Sequence, residues 1–440
     1  MKSASYKSYL LTLLMVVLAF NYVDRLALGI VLQDIKADLA LSDTQLGFLS
    51  GIAFTLFYSV MGIPLARWAD RGNRVAIISI TTALWSIAVA FCGAAGSFVQ
   101  LLLIRVGVAV GEAGCIPPAH SLIADNFSRA ERPRAVGIYT MGGPLSLVCG
   151  FFAAGWLNEL YGWRATFIVL GLPGLALAAL AWLTLKEPRR VAPPVAAPQP
   201  PVRHVLKVLW ANVTFRHMLM CYAVSFFFNY GMLQWQPAFF MRSYGLSSGQ
   251  VGTWFAVSYG FCGLIGNYFG GVLATRYATY DERRQLRVMA VMFAAFGVFS
   301  AGVYLAPSAQ WAFVSLGFAF LALTATNGPF LAIVQTLVAP RMRAMSVAVI
   351  YLFANLIGMG LGPLAAGALS DTLHPRFGHE SLRYALLLLC PGFLWCVWHL
   401  WRASQTVAGD LAGADSDESG PPGEEMIARQ HTVARGLNEA

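Results

Sequence analysis

Four charged residues stand well inside long apolar stretches of this 440-residue chain: Asp24, Arg25, Arg105 and Glu112. A charge at the centre of a bilayer costs on the order of 2.5 to 3.5 kcal/mol by insertion scales, so such a residue is functional by default. Asp24 lies 17 residues after Lys7 and 12 before Lys36, near the middle of a helix. Arg105 and Glu112 are seven apart, two helical turns along one face. A carboxylate so placed either pairs with an arginine and stays ionised, or loses its partner and takes up a proton, because low dielectric favours the neutral form. That chemistry couples a proton to a conformational change, with Asp24 and Glu112 as the coupling pair. A guanidinium is always charged and holds two oxygens at once, so Arg105, with Arg25 beside it, is the anchor expected for a phosphate or carboxylate head. The alternatives are a static pair that only locks the first helix to the fourth, and an Arg25 that snorkels outside any cavity.

The elements that must position these residues follow from composition. The chain is 58% apolar and 13% aromatic, with 12% Asp, Glu, Lys and Arg, and its mean hydropathy is +0.62. A soluble protein carries about 25% charge, so a soluble enzyme, a disordered chain and a disulfide-stapled domain are excluded. A membrane crossing needs about 20 apolar residues. Twelve segments qualify, roughly 8–33, 44–66, 75–95, 100–123, 135–158, 164–185, 216–240, 247–275, 287–305, 309–336, 344–370 and 383–402. The expected fold is an all-α membrane protein of twelve transmembrane helices in two six-helix bundles, 1–185 and 216–402. A proline-rich linker, 186–215, joins them, and the polar tail 403–440 cannot bury a core and reads as disordered.

Charge alternates between loops. With the N-terminus inside, 23 Lys and Arg fall on one side and 5 on the other, so the positive-inside rule places both termini in the cytoplasm. The basic balance therefore reflects topology rather than a nucleic-acid partner. The opening apolar run passes into Asp24 and Arg25 without a cleavage site and reads as a retained first helix. All seven cysteines fall in apolar segments without metal-ligand spacing, and no nucleophile triad or Walker loop appears. No cofactor, no metal and no enzymatic activity are expected, which leaves a transporter ahead of a membrane-embedded enzyme, channel or sensor.

The halves repeat each other. Asn21-Tyr22 recurs as Asn229-Tyr230; Leu41-Ser42, Gln45 and Gly47 recur as Leu246-Ser247, Gln250 and Gly252; Arg132 and Arg134 recur as Arg341 and Arg343. Two parallel six-helix repeats place a substrate at their interface near the midplane. Asp24 and Arg25 correspond to Met232 and Leu233, so one wall is charged and the other nearly apolar. That suits an amphiphile whose head meets Arg105 and Arg25, with Asn21, Tyr22, Asn229 and Asn327 as further polar contacts. Its chain is expected on Phe228, Trp235, Phe239 and Phe240, unless these aromatics face lipid.

The loop Ala66-Arg67-Trp68-Ala69-Asp70-Arg71-Gly72-Asn73-Arg74 is similar to the Asp-Arg signature of the major facilitator superfamily, and Gly271 to Arg276 is a second, weaker copy. The glycine-proline run from Gly137 to Gly155 resembles that family's fifth-helix motif. Asn21-Tyr22-Val23-Asp24-Arg25 with Arg105 and Gly111-Glu112-Ala113 resembles the Spinster family, in a bacterial homologue. The resemblance implies a secondary transporter of the bacterial inner membrane, proton coupled, working as a monomer by alternating access among membrane lipids. Its substrate would be a lipid-like anion of sphingoid or lysophospholipid type, or else a drug or organic anion for export. It further implies a cytoplasmic gate in which Asp70, with Arg71 and Arg74, meets the start of the eleventh helix at Arg343.

Overall fold

The computed structural model describes residues 4–128, 130–188, 201–277, 281–339 and 342–418, and every regular element among them is a helix. The first half comprises α1 Ala4–Leu39, α2 Asp43–Ser50, α3 Ile52–Arg71, α4 Arg74–Cys92, α5 Phe98–Glu112, α6 Ile116–Asn126, α7 Arg132–Thr140 and α8 Gly142–Thr184. A short α9, Val202–Ala211, leads into the second half. That half comprises α10 Val213–Tyr244, α11 Ser248–Phe255, α12 Cys262–Tyr277, α13 Glu282–Leu305, α14 Ala309–Thr324, α15 Asn327–Thr336, α16 Arg343–Phe353, α17 Gly360–Phe377, α18 Ser381–Leu389 and α19 Phe393–Glu418. Single π-helical turns, Ala256–Phe261 and Ala354–Met359, join α11 to α12 and α16 to α17.

Eight continuous stretches among the described residues are long and apolar enough to cross a membrane. Two of them, 132–184 and 345–412, exceed one crossing and turn back on themselves. In α8 the reversal sits at Gly162, whose φ of +78° is open to glycine. Before it, Gly142 and Gly150 lie on Leu18 and Val23, running parallel to α1; after it, Arg164 lies at Gly93 and Gly174 at Ser86, antiparallel to α4. The second reversal follows Gly378, where the Ser370 and Ser381 hydroxyls meet at 3.2 Å. Large apolar side chains such as Leu183, Phe261, Tyr268 and Trp395 point outward, more than half exposed. A bilayer is the solvent such a surface requires.

Gly29 lies against Gln234, and Gln33 accepts a bond from Arg242 at 2.6 Å, so α1 and α10 run in the same direction. One end of the bundle, called the near end here, carries the chain start. There Lys7 Nζ reaches Glu131 Oε2 at 2.8 Å and, by that hydrogen bond, holds the Glu131 carboxyl down to about 2. The same end carries the start of α10.

Two expectations need correction. The linker is not extended throughout: its proline density ends at Pro201, after which Val205 and Leu209, one turn apart and each 2% exposed, fold α9. The tail does not become disordered at 403, since α19 continues to Glu418. Ala403 and Val407 bury one more turn, and Asp410 Oδ2 accepts the Thr214 N–H at 2.7 Å, capping the start of α10.

Candidate functional site

The four intramembrane charges resolve into two ion pairs across α1 and α5. Arg105 Nη1 donates to Asp24 Oδ2 at 2.6 Å, with both side chains at most 2% exposed. Arg25 Nε donates to Glu112 Oε2 at 2.8 Å, and its Nη2 reaches the same oxygen. The seven-residue spacing therefore does not make Glu112 the rival of Asp24 for Arg105. Glu112 pairs instead with Arg25 of α1, while Asp24 takes the Arg105 Nη1.

Aromatic rings complete the charged wall. The Arg25 guanidinium lies 4.6 Å from the Phe54 ring centroid, 4.8 Å from Tyr58 and 5.2 Å from Tyr22. Arg105 lies 5.1 Å from the same Phe54 ring, so one ring faces both guanidinia. Phe54 and Tyr58 were not singled out from sequence, since an aromatic in an apolar span carries no signal of its own. Between the halves a cavity of about 40 Å³ is bordered by Arg25, Phe54 and Arg105 on one side and Tyr230, Gln234 and Met359 on the other. It has room for water but not for a ligand, whose sites run to about 300 Å³ or more. Arg25 keeps 16% of its side chain accessible beside this cavity, whereas Arg105 keeps 1%.

Other expected contacts are placed differently. Asn21 is fully buried one turn before Asp24, and its amide has no hydrogen-bond partner among the described residues. Trp235 is also fully buried, its Nε1 donating to the Pro363 carbonyl at 2.9 Å. Phe239 and Phe240 have no exposed surface and pack on Tyr304 and Phe313. Phe228 packs on Phe393. Trp235, Phe239 and Phe240 thus pack as core of the second half in this structure, while Phe228 is half-buried. Asn229 is half-buried on α10, and Asn327 is exposed at the start of α15, 3.5 Å from Asn267.

The end opposite the near end, the far end, is closed by contacts between halves that sequence reading missed. Asp43 opens α2 and accepts a two-pronged bond from Arg242 at 2.8 and 2.7 Å, with Ser370 at 2.7 Å and Lys36 at 2.6 Å on the same carboxylate. Asp371, in the second half of α17, accepts the N–H groups of Asp43 and Thr44 at 3.1 and 2.7 Å. Across the molecule Glu159 of α8 accepts the Gly249 N–H at the start of α11 at 2.8 Å, and Trp156 donates to Thr253 at 3.0 Å. Both helix starts carry the same capping box, Ser42 with Gln45 and Ser247 with Gln250. A Cβ on Gly155 would stand 2.9 Å from the Gly252 Cα, so the two backbones touch there. The repeated Ser-x-x-Gln motifs, read together with an acid near the end of the fifth and eleventh spans, were the available signal.

At the near end the expected gate divides. Asp70 and Arg71 lie outside the residues whose side chains are described. Arg343 is exposed at the start of α16. Arg74 makes no contact with the second half among the described residues: only 4% exposed, it binds Asp125 of the first half at 2.6 Å and Glu187 at the start of the linker at 2.8 Å.

A family model described as the Major Facilitator Superfamily matches residues 14–363. An MFS-type efflux pump of Mycolicibacterium smegmatis is 35% identical, covering 84% of this chain and 86% of that protein. A probable L-galactonate transporter of Escherichia coli is 26% identical over 84% of this chain and 83% of its own. The solved structure of a bacterial homologue of the human lysosomal transporter Spinster, inward-facing and unoccupied, superposes with a TM-score of 0.84 at 30% identity, covering 93% of this chain and 99% of that one.

Proposed function

Since this chain belongs to the Major Facilitator Superfamily and is a multi-pass membrane transporter rather than an enzyme, we propose that it is proton coupled and carries an amphipathic, lipid-like anion by alternating access. The observation that carries this reading is the Arg25–Glu112 pair at the edge of an inter-half cavity, backed by the buried Asp24–Arg105 pair. A proton added to the Glu112 carboxylate breaks its bonds to Arg25. The freed guanidinium then takes two oxygens of an anionic head. Arg105, held by Asp24, supports the positive field behind it.

Orientation follows from loop charge. With both termini in the cytoplasm of the bacterial inner membrane, the far end is periplasmic and the closed contacts there correspond to an inward-facing state of a monomer. Opening the far end requires the near end to close, through Asp70 and Arg71 against the start of α16 at Arg343.

The test is a thermal-shift screen of purified protein against lysolipids, sphingoid lipids and soluble organic anions, followed by uptake into liposomes under an imposed pH gradient. Saturable, gradient-driven uptake of an anionic amphiphile is the expected result; stabilisation by cationic drugs alone would overturn the anion assignment. A second reading, export of drugs or organic anions, draws on the mycobacterial relative named as an efflux pump. A cationic drug separates by sign, binding more weakly as pH falls where an anion binds more tightly; a soluble organic anion separates by driving saturable uptake where the amphiphiles do not.

A further inference from the structure

Helix α9 presents three distinct strips. Val205 and Leu209 are buried against the rest of the molecule. Beside them runs an apolar edge that nothing in the described residues covers: Val202 is 55% exposed, Leu206 45% and Trp210 58%. Beyond that edge lie Arg203 and Lys207, one turn apart and exposed. Residues 201–217 contain three Lys or Arg and no acid.

The position of the helix says what lies next to that edge. Asn212 ends α9 and at once caps α10, its Oδ1 accepting the Phe215 N–H at 2.7 Å. Asp410 holds the neighbouring Thr214 N–H. The helix is thereby fixed at the start of α10, which runs in the same direction beside α1, a helix long and apolar enough to cross a membrane. We propose that α9 is an interfacial helix that binds anionic phospholipid. Leu206 and Trp210 enter the acyl boundary, and Arg203 and Lys207 contact the phosphates. An apolar strip flanked by basic residues on one side has the order of a monolayer: chains, then charge, then water. The linker between the halves is then tied to the membrane surface at its second-half end.

The experiment uses the full chain in vesicles of phosphatidylcholine with or without 30% phosphatidylglycerol (about a third anionic, as the probe), each in a form brominated on the acyl chains. Trp210 emission is taken as the difference between wild type and Trp210→Phe. Quenching of that component by brominated chains, stronger for brominated phosphatidylglycerol, is expected. Arg203→Gln and Lys207→Gln should each lower the preference for phosphatidylglycerol about fivefold while leaving quenching by phosphatidylcholine in place. A Trp210 component untouched by bromine would mean that chain or partner protein covers the edge, and would overturn the proposal. So would a phosphatidylglycerol preference unchanged in the double variant. Neither readout depends on substrate or protons, so transport could fail every test above and leave this result standing.

Discussion

Glu159 and Asp371 bind the same backbone position in the two copies of the repeat: Glu159 the N–H of Gly249, Asp371 the N–H of Thr44, 205 residues apart. Each acid comes from the other half of the molecule, and each sits where a helix start favours an anion. The two closures are unequal, because only the Thr44 side is backed by the Arg242–Asp43 fork.

Neutralising Glu159 should therefore open the far end more readily than neutralising Asp371. A carboxylate at a helix N-terminus contributes about 0.3 to 2 kcal/mol, so Glu159→Gln should raise the far-end-open population by about twofold to thirtyfold. Double electron resonance distances between labels on the far-end loops check this. Identical distance distributions in Glu159→Gln and wild type would reduce the acid to a helix cap.

Backbone contact at Gly155 and Gly252 leaves no room for a methyl group. Gly155→Ala should hold the far ends of α8 and α11 apart, slow transport at least tenfold and leave the fold intact. Far-end cysteine accessibility and uptake report the two effects separately, and normal transport by this variant would show that the halves need not close there.

For the buried pair, Asp24→Asn leaves the Arg105 charge without its partner, at a cost of about 3 to 5 kcal/mol. A lowered unfolding temperature and lost gradient-driven uptake are expected. Asp24→Asn combined with Arg105→Leu should recover stability but not uptake. Wild-type uptake in that double variant would mean that Asp24 serves packing alone.

If the proposed proton coupling holds, the Arg25–Glu112 pair sets the pH dependence of binding. Anion affinity in the wild type should rise as pH falls, because protonating Glu112 releases Arg25. Glu112→Gln should bind the anion with affinity nearly independent of pH, and Arg25→Ala should bind weakly at every pH. Binding isotherms at three pH values decide it; a Glu112→Gln protein with the wild-type pH profile would exclude Glu112 as the proton site.

The charged quartet was legible from sequence because burial makes each member expensive and therefore conspicuous. Its pairing was not, since spacing along α5 says nothing of which carboxylate arrives first from α1. The repeat was legible in Ser42, Gln45 and their copies Ser247, Gln250, yet Glu159 and Asp371 fall just outside the expected spans and carry no signal until the other half is brought to them. The burial of Trp235 was not legible for a simpler reason: twelve tryptophans lie in a largely apolar chain, and periodicity cannot tell a helix's inner face from its cavity face. The end of α19 was missed because two small apolar residues, Ala403 and Val407, suffice to bury one more turn beside polar neighbours.

Two carboxylates and two guanidinia leave the quartet without net charge. On the proposed coupling, one proton taken up at Glu112 makes it positive, and a monovalent anion returns it to zero. The empty and the doubly loaded forms then reorient without moving charge across the membrane, and an electrical potential exerts no force on either. A form carrying only the proton or only the anion would feel about 2.3 kcal/mol per 100 mV. Transport of a monovalent anion by this protein should follow the pH difference and be indifferent to voltage clamped with valinomycin and potassium.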